Sequence, residues 1–240
     1  MSEPRIRVAD ALSVGQTLVL PSDEAHHLLQ VLRMGVGSTV EVVDGNEVCF
    51  ASTISGLHPA EILVDAALPL AHVANPRASI EFWVPLLKGG RTADVIRQLV
   101  EVGVGSLVVF SSERSVARLN ESRRHTRIER WETIVEQATK QCGRTDLPSV
   151  RFHVGIPGEL EGGGVFFWEQ ASQLAASVLK ETRLTRVLVG PEGGLSVSEA
   201  SALKDTGWRS AWLGARVLRA ETACVVTATL AMSALGEGGY

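Results

Sequence analysis

The sequence predicts an α/β protein in two parts: a small β-barrel over residues 1–70, then a parallel sheet with helices on both faces over 77–240. Three observations carry this. Short β-rich runs separated by glycines fill the first seventy residues, strand and helix patterns alternate beyond residue 79, and the stretch 69–77 (PLAHVANPR) holds two prolines and reads as a linker.

In the first part, Ile6–Val8, Thr17–Leu20, Thr39–Val43, Val48–Ile54 and Glu61–Val64 read as strands, bounded by Gly15, Gly37, Gly45 and Gly56. Ser22 is a candidate cap for a helix with Asp23 and Glu24 in its first turn and Leu28, Leu29, Val31 and Leu32 on its apolar side. Asp44-Gly45-Asn46 is a hairpin turn signal. In the second part, Ile80–Leu87 is a strand, and Thr92 is placed to cap a helix that runs through Glu101 and stops at Gly103. Leu107–Phe110, Val150–Val154, Val165–Trp168, Arg186–Val189 and Ser210–Leu213 are the remaining strands. Helices fall at 123–141 (Ile128, Trp131, Ile134, Val135 and Ala138 at spacings of three and four), at 170–179, after the capping-box sequence Ser196-Val197-Ser198-Glu199, and at 222–235.

The chain has 240 residues, 45% hydrophobic and 21% charged, which excludes disordered and fibrous classes. No run of eighteen apolar residues and no basic-then-apolar leader occurs, so no membrane partner is expected. Cys49, Cys142 and Cys224 are odd in number and lack CxxC spacing, which suits reduced thiols in a cytoplasmic protein. The net charge of −4 hides a gradient. Residues 1–85 carry 4 basic and 10 acidic side chains, whereas residues 86–150 carry 11 and 8. Arg114, Arg118, Arg123, Arg124, Arg127, Arg130 and Arg144 cluster there, either as a solvated mixed-charge surface or as a phosphate-contacting strip.

Two loops follow strands of the expected parallel sheet, where open α/β folds place ligands. The first is Gly190-Pro191-Glu192-Gly193-Gly194, whose glycines admit close backbone approach and which opens a helix whose free N–H groups favour an anion. It does not have the dinucleotide spacing GxGxxG, and by itself it also reads as a tight turn. The second, Leu213–Ala223, sets Arg216, Arg219 and Glu221 between a strand and an apolar helix. There Glu221 reads equally well as an acid favoured by the helix dipole.

These residues carry a resemblance. GPEGGLS at 190–196 followed by LGARVLRAETA at 213–223 resembles the carboxy-terminal signature of the SPOUT RNA methyltransferases, the trefoil-knot class. Within that class the chain is similar to the bacterial 16S ribosomal RNA (uracil-N3) methyltransferase family, RsmE. The further matching blocks are HHLLQVLRMGVGSTVEVVDG at 26–45, LLKGGRTADVIRQLVEVGV at 86–104, SSERSV at 111–116 and EQATKQCGRTDLP at 136–148. Gly90 and the run Gln98-Leu99-Val100 depart from the family pattern.

The resemblance implies a PUA-like β-barrel RNA-binding domain at 1–70 and a knotted α/β methyltransferase domain at 77–240. It implies S-adenosyl-L-methionine as cofactor, bound by Trp168, Gly190, Pro191, Glu192, Gly193, Gly194, Leu213, Gly214, Val217, Leu218, Thr222 and Ala223. Arg219 is then the first candidate for stabilising a uracil anion, with Glu221 as base or as the orienter of Arg219. Arg33, Lys88, Arg91, Arg114 and Arg144 would contact RNA, in 16S rRNA or the 30S subunit. A homodimer is implied, with the terminal helix at or near its interface, and no metal. Two rivals stay open: another SPOUT enzyme acting on tRNA or a ribose 2′-hydroxyl, and a non-catalytic ribosome-assembly factor.

Overall fold

The computed structural model describes residues 3–69, 73–158, 164–181 and 184–237. The chain divides into two compact units, Met1–Asn75 with Thr139–Asp146, and Pro76–Ala138 with Leu147–Tyr240. The segment 139–146, which the sequence places in the second domain, belongs to the first unit.

The first unit is a five-stranded sheet, β1 (Arg5–Arg7), β2 (Thr17–Val19), β3 (Thr39–Val43), β4 (Cys49–Leu57) and β5 (Ala60–Ala67), in the order β1-β3-β4-β5-β2. Register shifts between Ala51 and Ser52 and between Ile54 and Gly56 break the β4–β5 ladder, a device that increases local twist. Ile6, Leu28, Val40, Val42, Ile54, Ile62 and Val64 are buried in one core. Helix α1 (Ser22–His26) continues into a wide π-type turn, His27–Val31. Its N-cap is Pro21 and not Ser22; Ser22 is already the first helical residue, and no side chain caps the end. The Asp44 turn forms as its sequence suggests. One Asp44 oxygen accepts from the Asn46 and Val48 N–H groups and the other from Leu12 N–H. A Cβ at Gly45 would lie 2.0 Å from the Ala9 carbonyl oxygen, so this turn tolerates only glycine.

Arg144 is the clearest correction in this unit. Expected on an RNA-facing strip, it is 1% exposed, and its guanidinium pairs with Asp146 through Nε at 2.9 Å and through Nη2. A guanidinium held this way is committed to an internal fork and has no surface to offer a phosphate. Around it, Asn75 Oδ1 accepts from Thr145 N–H at 2.7 Å, Arg7 donates to the Thr145 carbonyl, and Lys140 pairs with Glu24.

The second unit carries six strands: β6 (Glu81–Pro85), β7 (Ser106–Ser111), β8 (Ser149–Val154), β9 (Val165–Phe167), β10 (Arg186–Val189) and β11 (Arg209–Ala211). They form one wholly parallel sheet in the order β11-β9-β10-β6-β7-β8. The helices are α2 (Arg91–Val102), α3 (Glu121–Cys142, whose last turn from Thr139 belongs to the first unit), α4 (Ala175–Glu181), α5 (Val197–Asp205) and α6 (Ala220–Ala234). Buried on both faces, the central strands β6 and β10 read as unbroken apolar runs, FWV and VLV.

Three local expectations shift. Gly90, not Thr92, is the N-cap of α2; Thr92 is buried and its hydroxyl accepts from Leu87 N–H at 2.9 Å, tying the strand end to the helix. Helix α4 starts at Ala175 and not at 170, because the backbone of 173–175 bonds elsewhere: Trp212 N–H to Gln173 O and Ala175 N–H to Trp212 O. Strand β11 ends at Ala211, which leaves 212–219 outside the regular sheet. Gly103, at φ +106, closes α2 as its sequence predicts.

Candidate functional site

Because all six strands are parallel, their carboxyl ends lie at one side of the sheet, and the segments after β9, β10 and β11 leave from neighbouring strands. These three segments enclose a cleft of about 710 Å3, in the size range of small-molecule sites. Its walls are Phe167–Glu169, Val189–Leu195 except Gly193, and Trp212–Ala223 except Thr222, with Arg91 from the first turn of α2.

The segment after β10 is rigid. Gly194 N–H donates to the Pro191 carbonyl at 2.8 Å and closes a turn in which Gly194 takes φ +68. Ser196 then caps α5 in a complete capping box: its Oγ accepts from Glu199 N–H at 3.2 Å, and the Glu199 carboxylate accepts from Ser196 N–H at 2.9 Å. The same carboxylate takes Glu113 N–H at 2.9 Å, so the loop after β7 is fastened to the start of α5. Gly193 lies behind the wall. A Cβ there would stand 2.8 Å from the Arg114 carbonyl oxygen, so its glycine is required by packing against the 111–116 turn.

The segment after β11 is open. Val217 is 93% exposed, and Arg216 and Arg219 are exposed with no side-chain hydrogen bond or ion pair among the described residues. Arg219 is the N-cap of α6 with extended backbone and no side-chain cap bond, and Gly214 takes φ +112. Glu221 follows in the first turn of α6, where the helix dipole favours an acid.

Charge in the cleft alternates. Arg91 reaches Glu192 on the β10 segment (Nη2–Oε1 3.1 Å) and Glu221 on α6 (Nη1–Oε1 3.5 Å). The second Glu221 oxygen, Oε2, is buried without a hydrogen-bond partner among the described residues. Glu169 adds a third carboxylate, its oxygens 3.4 to 3.5 Å from where a Gly194 Cβ would be. Trp168 lies under the Lys204 ammonium, 5.1 Å from the ring centroid, and its Nε1 is likewise buried and unpartnered among the described residues. Beneath α6, burial first and then the Glu221 charge push the Cys224 thiol far above its ordinary range, so it stays protonated and inert. No cluster of histidine, cysteine or carboxylate ligands suited to a metal exists among the described residues.

Of the residues singled out in the sequence, Trp168, Gly190, Pro191, Glu192, Gly194, Leu213, Gly214, Val217, Leu218, Arg219, Glu221 and Ala223 meet in this cleft. Gly193 and Thr222 do not line it. Arg91, assigned to RNA, stands in the cleft between two carboxylates. Lys88, Arg114 and Arg33 are exposed, the last with φ +55. Sequence reasoning gave Glu169 no role, although it stands just past the strand predicted to end at Trp168, and it noted Arg216 in the second loop without assigning it one.

The chain matches a model of the RNA methyltransferase domain over residues 74–232 and a model of the RNA methyltransferase PUA domain over 20–64. It is similar to the ribosomal RNA small subunit methyltransferase E of Buchnera aphidicola, 22% identical, with 98% of this chain and 94% of that one covered. Among solved structures it resembles a ribosomal RNA small subunit methyltransferase E from Neisseria gonorrhoeae bound to S-adenosyl methionine (TM-score 0.82, 28% identity, 98% of each chain). It also resembles a methyltransferase from Legionella pneumophila in complex with the same cofactor (TM-score 0.86, 23% identity, 98% of each chain).

Proposed function

This chain belongs to the RNA methyltransferase family, and we propose that it uses S-adenosyl-L-methionine to methylate N3 of one uridine in the 16S rRNA of the small ribosomal subunit. The observation that carries the proposal is the convergence of the GPEGG segment and the LGARVLRAETA segment, separated in sequence by residues 195–212, on one cleft whose open wall carries the exposed Arg219.

The residues present fit the cofactor. Leu213, Val217 and Leu218 give an apolar wall for a purine, and the rigid 190–194 turn offers backbone groups without side chains in the way. Glu169, a carboxylate outside the Arg91 pairs, brings negative charge to a ligand that carries a sulfonium and an ammonium. Bound there, S-adenosylmethionine supplies a methyl group on a cationic sulfur. Uracil N3 is a poor nucleophile while protonated. Arg219, exposed and without an ion pair among the described residues, donates to the carbonyl oxygen on which charge grows as the N3 proton leaves. Glu221 is the carboxylate that takes that proton. Holding base and methyl donor about 3–3.5 Å apart supplies much of the remaining rate.

Residues 1–70 serve as the PUA-like RNA-binding domain and 77–240 as the SPOUT methyltransferase domain, with Arg33, Lys88 and Arg114 meeting RNA phosphates. The chain acts as a homodimer in the cytoplasm, on ribosomal RNA or the 30S subunit. Support for the dimer comes from α6, which exposes Thr222, Val226, Leu230 and Ser233 and carries no charge after Glu221. No helix among the described residues is long and apolar enough to cross a membrane. Mass-spectrometric mapping of 16S rRNA nucleosides, with and without the protein, tests the reaction. A 3-methyluridine that appears only with the protein is the expected result; a methyl on tRNA or on a ribose hydroxyl would overturn the N3 assignment.

A further inference from the structure

The Arg91 guanidinium stands between the two walls of the cleft. It comes from the first helical residue of α2, donates from Nε to the Lys88 carbonyl at 3.3 Å, and reaches Glu192 on the rigid wall and Glu221 on α6. Both ion pairs use Oε1 of their carboxylates. That leaves Glu221 Oε2 buried and without a partner among the described residues, on a side chain that lines the cleft. A phosphate contact would need a guanidinium free of carboxylates, and Arg91 holds two.

We propose that Arg91 is a positioning residue for methyl transfer: held between Glu192 and Glu221, it fixes the Glu221 carboxylate that takes the N3 proton of the target uracil. The inference rests on the reaction assigned above. In the step, the N3–H bond breaks and its proton passes to the Glu221 carboxylate. N3 forms its bond to the methyl carbon as the carbon–sulfur bond breaks, and the electron pair of that bond stays on sulfur, which leaves as a neutral thioether. Glu221 then returns the proton to water. Arg91 touches neither uracil nor methyl group and acts through the carboxylate it fixes. Glu192 is its anchor on the immobile wall, so one guanidinium sets the distance between the β10 segment and the base.

The test compares Arg91→Met, Arg91→Lys, Glu221→Gln and the Arg91→Met/Glu221→Gln double variant. Single-turnover rate is measured at saturating RNA and S-adenosylmethionine, RNA affinity as a function of salt, and S-adenosylhomocysteine affinity by calorimetry. Arg91→Met should lower the rate about 100-fold, the scale for a reacting group displaced by about 1 Å. Affinity for S-adenosylhomocysteine should stay within about threefold, and the salt slope of RNA binding should not change. Arg91→Lys should recover about tenfold, because an ammonium keeps one ion pair but not the fork between two. In the Glu221→Gln background Arg91→Met should cost less than about threefold more, since residues that act as a unit do not add. Should Arg91→Met lose its thermal transition, Arg91→Gln replaces it in every comparison.

A normal rate with a salt slope reduced by about 0.7–0.9 would make Arg91 a phosphate contact and overturn the proposal. So would a tenfold loss of S-adenosylhomocysteine affinity, or an undiminished further loss in the Glu221→Gln background. A wild-type protein that methylates no uridine sinks the assigned reaction; one that does so while Arg91→Met is unimpaired sinks only the role of Arg91.

Discussion

The two walls of the cleft are built to different standards. The wall after β10 is closed upon itself: a hydrogen-bonded turn, a capping box, and Gly193 seated on the Arg114 carbonyl. The wall after β11 has Val217 almost wholly in solvent and two arginines without partners among the described residues. One wall is held by its own hydrogen bonds, whereas the other leaves an apolar side chain and two arginines in solvent. A preformed surface keeps the ordering cost of binding low. An open one leaves its apolar area to be buried on binding and its charges to act in the reaction.

Destroying the rigid wall should have the largest effect. Gly193→Val forces a branched side chain against a main-chain oxygen, and calorimetry should find no S-adenosylmethionine binding, with stability lowered by about 1–3 kcal/mol. Unaltered affinity in a folded variant would mean that the turn is slack enough to move. Arg219→Ala should come next. Its unliganded stability should stay within about 0.5 kcal/mol and its cofactor affinity near wild type, while the single-turnover rate falls about 100-fold. A loss confined to RNA affinity would make Arg219 a phosphate contact and leave the open wall without a chemical role.

Val217→Ser sharpens the contrast. An almost fully exposed side chain contributes little to folding, so the thermal midpoint without ligand should not move. The cofactor should nevertheless bind about tenfold more weakly, because serine offers the purine far less apolar surface to cover. Equal changes in both measurements would show that Val217 is already packed in the free protein. The smallest effect concerns the rigid wall's support: Ser196→Ala removes the cap acceptor and should cost about 1 kcal/mol of stability, read as a lower thermal midpoint, with a modest fall in affinity.

How much of this was legible in sequence depended on whether the cause was local. The strands over 39–43 and 186–189, the capping box at 196–199 and the α2 stop at Gly103 were legible because neighbours in the chain determine each of them. The two glycine- and arginine-bearing loops were legible as motifs, and their convergence followed from strand order. Arg144 was not, because a basic cluster looks the same whether its members face solvent or an internal carboxylate. Asp146, two residues on, was the available sign. Gly193 reads as a ligand-facing residue because the residue it backs onto is 79 positions earlier in sequence. Arg91 is separated from Glu192 and Glu221 by more than a hundred residues, and no spacing rule reaches that far.

The strand order β11-β9-β10-β6-β7-β8 also has a consequence in time. Arg91 waits for partners near residues 192 and 221, and the open wall is the last stretch of the cleft to be synthesised. At roughly 5–20 residues per second, a ribosome needs about 6 to 26 seconds to travel from Arg91 to Glu221. Until Glu192 is made the nascent chain has neither partner of Arg91, and until the segment through Glu221 is made it has no complete cleft. Contacts this distant in sequence are also the slow ones to form. Cofactor therefore meets this protein only after the sheet is assembled, and ligand binding can report that assembly is complete but cannot guide its early steps.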